Sequence, residues 1–338
     1  MLTPAQMPTP TPYPLLFSPI LLPKVWGGQA LRQLGKEIPP NATIGESWEL
    51  ADMPSTSASG AGGNPVRSVI RQGDLAGRTL AEAMNIWGTA LLGSAKPTPE
   101  GNYPLLVKFL DANENLSVQV HPSPAYAFAH PECKLKHECW YILAAEPGAV
   151  IYKGLKPGTT RQALRQATIA GTIAEMMVAV PAVAGECHNL PSGTCHALGK
   201  GVLVAEVQTP SDTTFRLYDW GRTGRELHTQ HALTCIDLAP APAPTRKCAA
   251  SCAERHVCNE AFTLDEFTPG AGESLGVGPA GQSAVVIMLA GEGRLQGPFE
   301  PITVHMGQTC LIPASIAEGT TLTSTAGPCT YLRAALRS

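Results

Sequence analysis

The chain has 338 residues, 44% of them apolar and 15% charged, with a formal net charge of -3. That is enough apolar material for two compact units or one large β architecture. The near-neutral balance, without basic runs, argues against nucleic acid or an anionic membrane as the main partner and leaves a small molecule as the expected one.

Residues 1–14 carry prolines at positions 4, 8, 10, 12 and 14. They lack the basic start and apolar run of a secretory leader, so they read as a flexible arm on a soluble, cytoplasmic protein. No later stretch is apolar for long enough to span a bilayer. The 33 glycines and 31 prolines mark many turns and favour short strands over long helices. Ten scattered cysteines lack paired spacing and read as free, buried thiols.

From Leu15 to Trp26 an apolar segment leads to Gly27-Gly28, and Ser47-Trp48-Glu49-Leu50 alternates as a short strand does. Residues 55–64 are rich in Ser, Gly and Ala and predict a loop. Thr79 and Glu82 have capping-box spacing, and Leu80, Met84, Trp87 and Leu91 follow at helical spacing, predicting a helix over 79–92. Residues 105–110, 117–121 and 139–144 read as strands, with a turn at 111–115. Residues 160–177 have helical composition broken near Ala170-Gly171, before strands resume at 185–190 and 201–209. The alternating prolines of Pro240-Ala241-Pro242-Ala243-Pro244 predict an extended linker over 239–247. It divides a domain at 15–238 from a smaller all-β domain at 248–338, whose short strand-like runs fall at 256–267, 284–289, 293–295, 302–305 and 309–312.

The chemistry concentrates at Gln119-Val120-His121-Pro122, Glu138 and His196. Side chains alternate along a strand, so Gln119 and His121 share a face. Two imidazoles, a carboxylate and an amide oxygen form a mixed N/O donor set that suits Zn²⁺ or a neighbouring divalent ion and leaves positions open for water or substrate. A closed structural zinc site uses thiolates more often. Cys248, Cys252, His256 and Cys258 lack paired spacing and read as structural, and Gly291-Glu292-Gly293 reads as a turn.

Several longer segments carry a family resemblance: Pro104-Leu105-Leu106-Val107-Lys108-Phe109-Leu110-Asp111-Ala112, Leu116-Ser117-Val118-Gln119-Val120-His121-Pro122, Lys136-His137-Glu138-Cys139-Trp140-Tyr141, Pro191-Ser192-Gly193-Thr194-Cys195-His196-Ala197, Ser211-Asp212-Thr213-Thr214-Phe215-Arg216-Leu217-Tyr218-Asp219 and Arg225-Glu226-Leu227-His228. In this order, over residues 15–235, the chain resembles the class I mannose-6-phosphate isomerases in their short bacterial form. The resemblance implies a mainly β, cupin-type jelly-roll barrel or sandwich with a helical insertion, followed by a second, smaller cupin-like β domain. It implies one zinc ion per chain on Gln119, His121, Glu138 and His196, a catalytic Arg216, an active-site acid at Glu206, and substrate-phosphate contacts from Lys108, Ser117 and Lys136. The implied reaction interconverts mannose 6-phosphate and fructose 6-phosphate through an enediol, and the proton carrier stays open among Glu206, Lys136 and a water on the metal. A non-catalytic sugar-phosphate-binding relative is the competing reading. An iron-dependent cupin oxygenase is disfavoured by the pairing of Gln119 with Glu138.

Overall fold

A computed structural model describes residues 9–57 and 61–337. Strands predominate, and the chain divides into two compact units, one of residues 19–66 and 105–257 and the other of residues up to 18, 67–104 and 258 onward. The domain boundary expected at the proline-rich segment is therefore displaced. Residues 245–246 still pair with the first unit, Glu186 opposite Arg246 and Cys187 opposite Thr245, so Pro240–Pro244 leads into an edge strand there. Residues 67–104, which contain the helix predicted at 79–92, belong with the C-terminal strands. Reading domains as contiguous stretches missed this excursion.

The first unit is built on two large sheets, with a short two-stranded sheet of Asp52–Met53 and Val66–Arg67 beside them. The larger runs, edge to edge, through Thr245–Arg246, Glu186–Leu190, Glu138–Ala145, Val202–Gln208, Leu106–Ala112, Ile44–Leu50 and Ile20–Gly28. The smaller runs through Met177–Pro181, Val150–Leu155, His196–Leu198, Val118–Val120 and Phe215–Tyr218. Their inner faces meet in a core of Leu110, Trp140, Ile142, Leu190 and Val204 from the larger sheet with Ile151 and Leu198 from the smaller. The arrangement is a sandwich and not a closed barrel.

The outer face of the smaller sheet is covered by helices. Val118, Val120, Phe215 and Leu217 pack there with Leu164 of Arg161–Ala170 and with Ala232 and Cys235 of Thr229–Cys235. This apolar cover fixes the strand's orientation: with Val118 and Val120 turned outward, the period of two turns Gln119 inward. The helical insertion expected at 160–177 is present as Arg161–Ala170, ended by Gly171 at φ +72°, and a 3-10 turn at Ile173–Met176. Only a residue tolerant of the left-handed region ends a helix this way without strain.

In the second unit, Leu15–Leu16, Thr309–Ile312, Ala284–Ala290, Thr330–Leu336 and Phe262–Phe267 lie side by side in one sheet. A four-stranded sheet of Ser274–Gly276, Thr321–Ser324, Glu292–Gly297 and Phe299–His305 shares its core, which includes Val286, Met288, Leu295, Val304, Leu322 and Tyr331. The Thr79–Glu82 capping box forms, but the helix stops at Trp87 and a second turn, Thr89–Leu92, follows Gly88. Of the expected flexible arm, residues 1–8 lie outside the described residues. Residues 9–14 are held: Trp87 Nε1 donates to Pro10 O at 2.8 Å, Tyr13 Oη donates to Gln72 O at 3.0 Å, and the Tyr13 and Trp87 rings meet edge to face at 5.4 Å. The loop expected at 55–64 has its centre, residues 58–60, outside the described residues, and its flanks form no helix or strand. All ten cysteines are free; Cys139, Cys187, Cys195, Cys235, Cys310 and Cys329 are buried, while Cys248, Cys252 and Cys258 are exposed, against the expectation of buried thiols throughout. No helix among the described residues is long and apolar enough to cross a membrane.

Candidate metal centre and active site

Strand register places the polar residues in two facing rows. Across the smaller sheet, Arg216 lies opposite Gln119, Gln119 opposite His196, and His196 opposite Lys153. Across the larger sheet, Trp48 lies opposite Lys108, Lys108 opposite Glu206, and Glu206 opposite Trp140. Register partners in a ladder project from the same face, so each row points into the sandwich as a unit. The rows meet where the Trp140 and His196 rings stand edge to face at 5.3 Å.

At that meeting point His121, Glu138 and His196 offer ligand atoms within 4.8 Å of one another, the only such His/Cys/Asp/Glu group among the described residues. Glu138 Oε1 lies 3.2 Å from His121 Nε2 and 2.9 Å from His196 Nε2. The turn that delivers His196 bends at Gly193, φ +92°, and closes with Thr194 N donating to Pro191 O at 3.0 Å. All three side chains are buried.

The hydrogen bonds behind the imidazoles fix what they present in front. His121 Nδ1 meets Thr213 O at 2.9 Å and His196 Nδ1 meets Thr194 O at 2.8 Å. A carbonyl oxygen only accepts, so each Nδ1 carries a proton, and in its neutral form each ring turns an Nε2 lone pair toward Glu138. Two lone pairs and a carboxylate oxygen converging in a buried space repel one another unless a cation lies among them. Backbone carbonyls orient metal-binding histidines in this manner. The donor set fits a divalent ion with open coordination positions.

Gln119 stands beside this trio with a difference from expectation. Its Nε2 faces His196 Nε2 at 3.3 Å, while its Oε1 accepts from Ser117 Oγ at 3.3 Å. Turning the amide by half a revolution exchanges the two atoms and presents Oε1 to the metal position.

Burial, and then the ammonium of Lys136, hold the His121 imidazole down at about 4, although Glu138 pulls it upward. Its folded value lies below the ordinary 6.5 or so, so the native state binds fewer protons between them. The contribution to stability is present above about pH 6.5 and is lost as pH falls through 4. Metal-free protein is accordingly expected to show a lower urea midpoint at pH 5 than at pH 7, a difference that His121→Ala reduces. Despite the cost of burial, the ammonium of Lys136 above all holds the Glu138 carboxyl well below its usual range. Lys136 Nζ sits 2.6 Å from Glu138 Oε2.

Next to the trio opens a cavity of about 280 Å³, lined by Lys24, Lys108, Lys136, Arg216 and Arg225 against Glu46, Asp212 and Glu206, with Ser117, Gln119, Trp26, Trp48 and Trp140 among its other walls. Five cations against three acids give this wall a positive surplus in a chain whose overall charge is negative. Lys108 Nζ lies 3.3 Å from Glu206 Oε1 and 3.8 Å from Glu46 Oε2, and 4.7 Å from the centre of the Trp48 ring. Trp140 Nε1 donates to Glu206 Oε2 at 2.8 Å. Arg216 Nη1 donates to Glu226 O at 2.8 Å, while its buried Nε makes no hydrogen bond. Every residue expected at the site thus lies at the trio or on the cavity wall. The expected phosphate contacts Lys108 and Lys136 arrive already faced by carboxylates. Sequence reasoning left out Lys24, Glu46, Trp140 and Arg225 as wall residues; Glu46 and Trp48, two apart on one strand, carried a signal in their shared face.

The family model for the catalytic domain of type I phosphomannose isomerase matches residues 16–136. A mannose-6-phosphate isomerase of Streptococcus mutans is 33% identical over 310 residues, covering 90% of this chain and 93% of its own length. The crystal structure of mannose 6-phosphate isomerase from Bacillus subtilis superposes with a TM-score of 0.81 at 27% identity, covering 95% of this chain and 99% of that one. A mannose 6-phosphate isomerase solved with zinc and yttrium bound shares the fold at 19% identity, with a TM-score of 0.74 over 96% of this chain and 100% of that one. The sandwich is thus of the cupin type found in these enzymes. Identity at this level, sustained through both units, means that the chain belongs to the class I mannose-6-phosphate isomerases.

Proposed function

We propose that the chain interconverts mannose 6-phosphate and fructose 6-phosphate by proton transfer between C1 and C2 through an enediol, with one zinc ion held by His121, Glu138, His196 and Gln119. The observation that carries this reading is the convergence of two imidazole lone pairs and a carboxylate beside a cation-rich cavity. When bound, zinc supplies a Lewis acid that polarises the sugar oxygens at the reacting carbons.

The protein side chains supply the rest. Arg216 remains cationic at any working pH and lines the cavity, where its guanidinium stabilises charge that develops on the enediol oxygens. Lys108, Ser117 and Lys136 contact the substrate, and the positive wall draws its phosphate. The proton carrier is Glu206 or Lys136, both of which reach the cavity. The tryptophans around them limit water, which strengthens each charge interaction inside.

The test is a coupled or NMR assay of zinc-loaded protein with each sugar phosphate. Interconversion in both directions to one equilibrium ratio is expected. Binding of either sugar phosphate without turnover contradicts the proposal and favours the non-catalytic reading.

A further inference from the structure

Glu46 is absorbed neither by the metal trio nor by the residues expected from the sequence, yet it is among the most constrained acids of the cavity wall. It shares a face of Ile44–Leu50 with Trp48, two residues on, and Trp48 Nε1 donates to Glu46 Oε2 at 2.6 Å. The register partner of Trp48 is Lys108, whose partner is Glu206, whose partner is Trp140. The result is an acid, an ammonium and an acid in line, with each acid pinned by an indole N–H: Trp48 on Glu46 and Trp140 on Glu206.

We propose that Glu46 is a positioning residue for the isomerisation, fixing the Lys108 ammonium between itself and Glu206 so that both groups meet the substrate in one geometry. This rests on the reading of Lys108 and Glu206 as substrate-facing groups. Lys108 has four flexible side-chain torsions and is buried; with Glu206 as its single partner it swings about that contact, whereas two carboxylates and the Trp48 ring face leave it one position.

The charges around Lys108 agree. Burial by itself lowers its pKa, but Glu206 of Val202–Gln208, Glu46 of Ile44–Leu50 and the more distant Glu138 of Glu138–Ala145 together raise it. Burial likewise pushes Glu46 up, while Lys108, Lys24 of Ile20–Gly28 and the Trp48 hydrogen bond carry it down to about 2. Glu46 is therefore an anion throughout any working range of pH. Its Oε1 also lies 3.4 Å from Lys24 Nζ, so a purely structural role, tying down the Ile20–Gly28 strand, is the alternative to be separated.

The experiment compares Glu46→Gln and Glu46→Asp with the unsubstituted full chain, all zinc-loaded, by bound-metal content, kcat, KM and the pH profile of kcat/KM for mannose 6-phosphate. Glu46→Gln is expected to keep its zinc and to lose about ten- to hundredfold in kcat/KM, the range typical of supporting contacts. The alkaline limb moves to lower pH because Lys108 has lost an anionic neighbour. Glu46→Asp, which keeps the charge, restores the limb and part of the rate. Activity lost with the alkaline limb unmoved overturns the role and leaves strand-tying as the explanation. Wild-type turnover in Lys108→Met overturns it as well, whereas absence of turnover in the unsubstituted chain removes the reading on which it rests.

Discussion

Replacing His121 with alanine is expected to abolish stoichiometric zinc retention and to lower turnover by about 10³-fold, because the substitution removes one of three converging ligands and the Lewis acid with it. The remaining pair, His196 and Glu138, still lies within hydrogen-bond distance at 2.9 Å, so weak metal binding at high zinc concentration is expected to rescue a small part of the rate. The fold survives the change. Val118 and Val120 hold the strand through the helix-covered face, and His121 follows its end. Bound-metal analysis beside a thermal melt checks both halves of this expectation. Full zinc occupancy in His121→Ala would mean that the three residues do not form the metal centre.

Arg216→Ala is expected to separate metal binding from chemistry. Arg216 neighbours Gln119 in the row but takes no part in the trio, so zinc content should match that of the unsubstituted chain. The loss falls on kcat, by about 10²- to 10³-fold, as for removal of one oriented donor to a developing oxyanion. KM changes little, because the charge that Arg216 meets is absent from the ground state. Arg216→Lys keeps the charge but loses the planar donor fork and is expected to recover less than a tenth of the rate. A rise in KM with kcat unchanged would assign Arg216 to uniform substrate binding instead.

How much of this was legible in the sequence depended on the distance over which each signal acts. Alternation along a strand is local, and it is the reason to read Gln119 and His121 as sharing a side; in the structure the strand is Val118–Val120, His121 follows its end, and Val118 and Val120 are held outward by Leu164, Ala232 and Phe215. The capping box of Thr79 and Glu82 is local too, and it formed as read. The wall of the cavity is not local. Glu46, Lys108, Glu206 and Trp140 come together through the register of four strands from segments far apart in the chain, and nothing within one strand names its neighbours. The same limit explains the displaced domain boundary: the proline run was conspicuous, but residues 67–104 joined the C-terminal strands through contacts invisible to composition. The resemblance supplied Arg216 and Glu206 where residue patterns alone left them undistinguished. It did not reveal that Lys108 and Lys136 arrive already faced by carboxylates.

The central claim is that one zinc ion at His121, Glu138 and His196 is required for sugar-phosphate isomerisation. Its most direct test titrates zinc into chelator-stripped protein while bound metal and mannose 6-phosphate turnover are measured on the same samples. Turnover should be absent from the stripped protein, rise in proportion to bound zinc and stop rising at one ion per chain. Full turnover in stripped protein, or activity that fails to follow occupancy, would contradict the account.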